Sequence, residues 1–234
     1  MPIAINLDAI RDRISAAARR AGRNPNDVAL MAVCKTFPAE GIQEAYTAGQ
    51  RLFGENRVQE FAEKYPAVAH LPDVRFHMIG HLQSNKAAKE AEIFHAVDSI
   101  DSAKLAQRLN EAAQKLDKTL DVLIEINVGG EAAKSGLGPD STVINAILSQ
   151  APEWKHLNIR GLMTVPPFTD DPEGARPYFR KLRELRDQLA ARKLPSISLD
   201  TLSMGMSHDF EVAIEEGSTC VRIGTAIFGE RAKP

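Results

Sequence analysis

The chain is short of every residue class that would mark a specialised protein. It has two cysteines in 234 residues, Cys34 and Cys220. Each lies in an apolar run and neither has metal-type spacing, which excludes a disulfide framework and a thiolate metal cluster; both read as small buried hydrophobes of a reducing compartment. No apolar stretch approaches a membrane span, and the opening Met1-Pro2-Ile3 lacks the charged region of an export leader, so the expected location is the cytoplasm. Charge of one sign is lacking too: 29 basic and 31 acidic residues, scattered throughout, give a net charge of −2. That excludes the footprint of a nucleic-acid binder or a membrane-surface helix and leaves small ligands as the expected partners. What is present, 44% hydrophobic and 26% charged residues, suits one large soluble core.

The organisation is a regular alternation. Residues 7–21 carry a helical stripe, Leu7, Ile10, Ile14 and Ala17, closed by Gly22. Eight strand-like apolar runs follow, at 28–34, 51–54, 74–79, 93–97, 120–128, 157–163, 198–203 and 220–223. Between them lie helical patterns at 38–48, 58–65, 84–91, 102–116, 141–150, 172–192 and 208–216; the clearest stripes are Leu105, Leu109, Ala112, Leu116 and Phe179, Leu182, Leu185, Leu189. Eight strand–helix units with short connections predict an α/β fold, a single closed (β/α)8 TIM-type barrel spanning 1–234 with an extra N-terminal helix. An open doubly wound sheet is the alternative, disfavoured because no GxGxxG follows the first strand.

In a barrel the carboxyl ends of the strands converge on one mouth, so their chemistry is what matters. The first run, Val28 to Cys34, is apolar throughout, as a strand buried on both faces must be, and it delivers Lys35 to its end. Partial desolvation there favours the neutral, nucleophilic amine of a Schiff-base lysine; the ordinary alternative is a lysine that snorkels into water. Gly54-Glu55-Asn56-Arg57, Gly80-His81, Asn127, Met163-Thr164, Ser203 to Ser207 and Arg222 to Thr225 end other strands. Gly224 and Thr225, opening a last helical turn, offer amides and a hydroxyl to a phosphate, with Ser203 and Gly205 opposite. Asp209 and Glu211 would repel an anion near Ser207, which places the phosphate by Gly224 and Ser203. Arg222, in step with Gly224 along the strand, points into the mouth and needs a carboxylate, a phosphate or a ring acceptor.

Two apparent motifs fail. His77 and His81 have helical zinc spacing on what reads as strand and turn, so their rings do not converge. Ser207-His208-Asp209 are adjacent, whereas a catalytic triad must converge in space; His208 and Asp209 read as a helix start. A lysine and a phosphate site across one mouth fit pyridoxal 5′-phosphate or a sugar-phosphate aldolase. Arg222, a partner for a pyridine nitrogen, favours the first; an aldolase also needs carboxylates near its lysine, and only Glu55 ends a neighbouring strand.

The segments Ala32-Val33-Cys34-Lys35-Thr36, Phe53-Gly54-Glu55-Asn56-Arg57-Val58-Gln59-Glu60, Phe76-His77-Met78-Ile79-Gly80-His81-Leu82-Gln83-Ser84-Asn85-Lys86, Gly161-Leu162-Met163-Thr164, Leu202 through Asp209 and Val221 through Gly229 closely resemble the pyridoxal phosphate homeostasis protein family. The resemblance runs in order from the first helix to the carboxyl terminus, with Cys34 standing where serine is more usual. It implies a barrel similar to the N-terminal domain of alanine racemase, with pyridoxal 5′-phosphate held as an aldimine on Lys35. It further implies phosphate contacts from Ser203, Gly224 and Thr225, Arg222 beside the pyridine nitrogen, Asn56 near the aldimine, and Met163 in the cofactor-binding set. The implied role is vitamin B6 homeostasis, as cofactor storage, carriage or regulation, without catalysis. PLP-dependent apoenzymes are the implied acceptors, and the expected state is a monomer or weak homodimer. The chain ends at Pro234, directly after the last barrel helix, so the β-rich second domain that gives alanine racemases their tyrosine base is not expected. A weak PLP-dependent racemase or transaminase is the alternative, and a Schiff-base aldolase a distant one.

Overall fold

The computed structural model describes residues 2–131 and 134–230; Met1 and Pro234, which bear on the expectations about the chain's ends, lie outside them. Eight parallel strands pair in chain order, β1 (Ala29–Val33), β2 (Leu52–Glu55), β3 (Arg75–Met78), β4 (Ala96–Ile100), β5 (Leu120–Glu125), β6 (Leu157–Met163), β7 (Ile197–Met206) and β8 (Cys220–Ile223), and β8 pairs back onto β1 to close the barrel. The fold class read from the sequence is therefore the fold observed.

The continuous apolar runs have the cause expected of a covered parallel sheet. Alternate residues, such as Ala32, Phe53, Phe76, Val97, Val122, Ile124, Leu162, Leu202 and Val221, form one core layer beneath the helices. The intervening residues, among them Met31, Val33, Leu123, Met163, Cys220 and Arg222, are also buried and fill the barrel.

The described helices are α1 (Ile3–Arg20), α2 (Ala39–Thr47), α3 (Val58–Val68), α4 (Ala87–Ile93), α5 (Ala103–Lys115), α6 (Thr142–Gln150), α7 (Arg176–Ala190), α8 (Phe210–Glu215) and α9 (Thr225–Phe228). Serines start two of them: Ser102 Oγ accepts from Leu105 N at 3.3 Å and Ser141 Oγ from Val143 N at 3.2 Å. The extra helix α1 buries Leu7, Ile10, Ile14, Ala17 and Ala18 and packs against α2, α8 and α9. Its Asn6 side chain donates to Ile227 O at 2.8 Å, tying α1 to the short helix after the last strand. Among the described residues no helix is long and apolar enough to cross a membrane.

Three of the boundaries that differ from the sequence reading stand out. Ile93 ends α4, which buries Ala87, Glu90, Ala91 and Ile93 at helical spacing, and β4 begins three residues later; a short apolar run does not by itself distinguish the two states. Leu116, expected in the α5 stripe, is an exposed C-cap. Most important, β7 does not end at Ser203 but continues to Met206. Between the pairs Ser203↔Cys220 and Met206↔Arg222 it carries one residue more than β8, a bulge that turns the strand end toward the mouth.

Gly205 makes this possible. Its φ is +95°, and a Cβ there would lie 2.6 Å from Ala213 Cβ and 2.9 Å from Phe210 Cα on α8. Gly205→Ala is therefore expected to cost about 2–4 kcal/mol through backbone strain and overpacking. Chemical denaturation measures this directly; a loss under about 0.5 kcal/mol, the range of an ordinary surface change, would show that the bulge needs no glycine.

Candidate functional site

At the carboxyl end of the barrel a cavity of about 370 Å³ opens, within the size range of small-molecule sites. Its polar lining comes from Lys35, Asn56, Ser207, His208, Arg222 and Thr225. Lys35 stands in the turn after β1. Phe37 N donates to Cys34 O at 3.2 Å to close that turn, and Thr36, at φ +66°, donates its amide to Glu60 Oε1 at 2.5 Å. The Phe37 ring lies 5.1 Å from that of Phe228, so the lysine turn is packed directly on α9.

Beneath Lys35 a separate polar cluster fixes the strand ends. Lys64 on α3 donates to Glu55 Oε1 at 2.9 Å, Glu60 Oε1 at 2.8 Å and Cys34 O at 3.2 Å. The buried Cys34 thiol meets Glu55 Oε1 at 3.2 Å. Burial, reinforced by the neighbouring Glu55 carboxylate, pushes the Cys34 thiol well above its ordinary value, so it acts as a weak donor and not as a nucleophile. Burial also raises the Glu55 carboxyl against the opposing pull of Lys64. Glu55 is thus directed into this cluster and away from the cavity, which removes the carboxylate an aldolase reading would have used.

Arg222 forms the floor of the cavity. It is 4% exposed; its Nη1 donates to Ser203 Oγ and its Nη2 to Thr164 O, both at 2.7 Å. Both partners are neutral, and among the described residues no carboxylate pairs with the guanidinium. Burial lowers the Arg222 pKa, partly offset by Cys220 and the carboxylates of Asp98, Asp209 and Glu125 nearby. A buried guanidinium bonded only to neutral acceptors suits a further acceptor from above.

The opposite side is built from the start of α9 and the end of β7. Gly224 leads into α9, and a Cβ on it would come 3.2 Å from Val33 O, so the link from β8 passes close to β1. Ser207 and His208 arrive from the bulged end of β7. The expected repulsion near Ser207 does not arise. Asp209 is buried with its Oδ1 accepting from Met206 N at 2.6 Å, and burial raises its carboxyl. Glu211 faces outward to Arg13 at 2.9 Å.

Of the residues singled out in the sequence, Lys35, Asn56, Arg222, Gly224 and Thr225 line this one cavity. Met163 and Ser203 do not: both are fully buried, paired in register with each other one layer down, with Ser203 occupied by Arg222. The extension of β7 is the reason, since it presents Met206 and Ser207 where Ser203 had been expected. His77 and His81 meet different carboxylates, Asp98 at 3.1 Å and Asp101 at 3.4 Å. Sequence reasoning missed Val33, Phe37, Ile79, Val165, Met206, Ser207 and His208. Strand alternation would have found Ile79 and Val165, two residues beyond His77 and Met163.

Comparison with known proteins gives a consistent picture. The family model for the alanine racemase N-terminal domain matches residues 5–232. The pyridoxal phosphate homeostasis protein of Aquifex aeolicus is 47% identical over 225 residues, covering 96% of each chain. That of Pseudomonas aeruginosa is 45% identical over 229 residues, covering 98% of this chain and 96% of its own. Among solved structures, PipY of Synechococcus elongatus, determined with PLP bound, superposes with a TM-score of 0.83 at 37% identity, covering 97% of this chain and all of its own.

The cluster under Lys35 can be tested by itself. Lys64→Met leaves Glu55 buried without its cation and is expected to cost about 3 kcal/mol, whereas the double variant Lys64→Met/Glu55→Met should recover much of that loss. Equal stabilities of the single variant and wild type in urea titrations would show that the pair is not coupled.

Proposed function

The chain belongs to the pyridoxal phosphate homeostasis protein family, on the alanine racemase N-terminal fold, and from that premise we propose that it binds pyridoxal 5′-phosphate covalently on Lys35 and serves cofactor homeostasis rather than catalysis. In this reading residues 1–234 act as one binding domain in the cytoplasm, a monomer or weak homodimer, that stores or carries the cofactor and passes it to PLP-dependent apoenzymes. The observation that carries the reading is the convergence of Lys35, the buried Arg222 and the Gly224–Thr225 helix start on one cavity with no carboxylate or tyrosine in its described lining.

The residues fit the ligand's three functional ends. When bound, pyridoxal phosphate supplies an aldehyde that condenses reversibly with an amine and a ring that withdraws electrons from the attached carbon. Lys35 Nζ takes the aldehyde end. Asn56, on the neighbouring strand end, orients that end by hydrogen bonding. Arg222 gives an N–H to the pyridine nitrogen while Ser203 and Thr164 hold the guanidinium in place from below. Thr225, the amides at Gly224, and Ser207 take the phosphate; Met163 supports the floor from the layer beneath.

This donor set also argues against turnover. A guanidinium donates hydrogen bonds and does not readily give up its proton, so Arg222 would leave the pyridine nitrogen of a bound cofactor unprotonated and the ring a weak electron sink. Proton abstraction on the face away from the lysine would need a positioned base; the described lining has no carboxylate or tyrosine, and His208 at its rim is the one side chain there that could take that part. The racemase, transaminase and aldolase alternatives draw no specific support from this lining.

The purified protein is expected to be yellow and to carry a borohydride-fixed label on Lys35. Lys35→Ala should lose the colour while retaining its fold by circular dichroism and weak phosphate-dependent binding. Racemisation and transamination of the common amino acids should stay below about 1 s⁻¹; faster turnover, or a label on another lysine, would overturn the assignment. The phosphate end is separable from the ring end. Thr225→Val should weaken pyridoxal phosphate roughly tenfold while leaving unphosphorylated pyridoxal nearly unchanged. Ser203→Ala acts through Arg222 and should weaken both ligands alike; the reverse pattern would mean that the two ends are misassigned.

A further inference from the structure

The rim of the cavity carries a histidine to which the proposed binding scheme gives no part. His208 follows Ser207 and contributes to the cavity lining. Its Nε2 lies 3.1 Å from the carbonyl oxygen of Thr169 and 3.1 Å from that of Asp170, both in the loop after β6. Two carbonyl acceptors at one ring nitrogen require that nitrogen to carry the proton, so Nε2–H donates to the loop. Nδ1 is then the nitrogen with no protein partner among the described residues. The ring is covered on one side by Phe168, with centroids 5.5 Å apart, and Phe168 is 77% exposed, a large apolar side chain held in water by this contact.

The loop that His208 grips is itself braced. Thr169 Oγ1 donates to Asp171 O at 2.8 Å, Asp171 Oδ1 accepts from Glu173 N at 3.0 Å, and a Cβ on Gly174 would come 3.0 Å from Thr169 Cβ. The two carbonyls are therefore presented at fixed positions, and they fix the ring in turn. Of the other charged groups at this corner, Lys35 and Arg222 line the same cavity, and the neighbouring Asp209 is bonded to Met206 N.

We infer that His208 is a specificity-determining residue, whose Nδ1 recognises the phosphate monoester end of the ligand while its Nε2 holds the 166–171 loop closed; this rests on the reading of the cavity as a pyridoxal phosphate site. With Nε2–H committed to the loop carbonyls, the Nδ1 lone pair accepts the P–OH of the phosphate monoester end, a bond that fixes the ring and the loop together. Ligand phosphate and loop order are thereby coupled through one ring, and an unphosphorylated aldehyde that reacts equally well with Lys35 gains nothing from it.

Two variants and three probes test this. His208→Phe keeps a ring against Phe168 and removes both nitrogens; His208→Gln keeps an N–H donor. Pyridoxal phosphate, pyridoxal and inorganic phosphate are each titrated into wild type and both variants. His208→Phe is expected to weaken pyridoxal phosphate and inorganic phosphate roughly tenfold and to leave pyridoxal within about twofold, with partial recovery in His208→Gln. Hydrogen exchange at the amides of 168–171 should slow on phosphate addition in wild type and not in His208→Phe. Equal weakening of pyridoxal phosphate and pyridoxal would reduce His208 to a structural rim residue, and unchanged affinity for all three probes would remove it from recognition; either result overturns the inference. Failure of the cofactor reading looks different: wild type would form no adduct on Lys35, and the inorganic phosphate titration would still decide the role of His208.

Discussion

Pairing of the last strand with the first is the constraint on which the site depends. β8 lies beside β1 with Met31 opposite Arg222 and Ala32 opposite Ile223. Residues separated by nearly the whole chain, Lys35 on one side and Arg222, Gly224 and Thr225 on the other, become neighbours only when the barrel closes. The reinforcement is local: Phe37 packs on Phe228, Gly224 runs close to the Val33 carbonyl, and α1 holds α9 through Asn6. An open sheet of the same sequence would keep every strand and lose the site. Binding a ligand across this seam accordingly acts as a clasp on the fold, since only the closed barrel presents both halves of the cavity.

The barrel interior departs from the apolar layers such folds usually contain. Arg222, Ser203, Asp98, Glu125 and Cys220 are all buried in it or at its upper end. Charged groups so placed are costly unless paired, and among the described residues Arg222 hydrogen-bonds only to neutral acceptors. The cost is moderated by distributed carboxylates that do not touch the guanidinium, which leaves its remaining N–H groups available toward the mouth. The arrangement sacrifices stability at the floor of the cavity for a donor of fixed position, as expected where local packing rules give way to a binding requirement.

The barrel was legible in the sequence because both faces of each strand are buried, so eight apolar runs survive as continuous signals, and because the helical stripes of α5 and α7 are long. Lys35, Arg222, Gly224 and Thr225 were legible because strand ends are where a barrel exposes chemistry, and Asn56 through the family resemblance of the motif that holds it. What could not be read were register events. One extra residue in β7, permitted by Gly205, exchanges Ser203 for Ser207 at the lining, and no periodicity argument anticipates a bulge. The place of Ser207 in the lining was hidden for a related reason. Charge at the start of a helix was counted from sequence position, whereas Asp209 turns back onto the Met206 amide and Glu211 turns out to Arg13.

That failure points to how a slightly acidic chain builds a cationic cavity. Several carboxylates near the mouth have one oxygen engaged elsewhere: Glu55 and Glu60 by Lys64, Asp101 by His81, Glu125 by the Ser135 hydroxyl, Asp209 by a backbone amide and Glu211 by Arg13, while Glu55 Oε2 and Glu125 Oε2 are buried without a hydrogen-bond partner among the described residues. None lines the cavity, and Lys35 and Arg222 do. The net charge of the chain therefore says nothing about the potential inside, because a concave site with low-dielectric walls is governed by the few groups that face it. Each diverted carboxylate is one fewer anion in the described lining, so that an anionic aldehyde entering the cavity meets the Arg222 guanidinium with no carboxylate beside it in that lining.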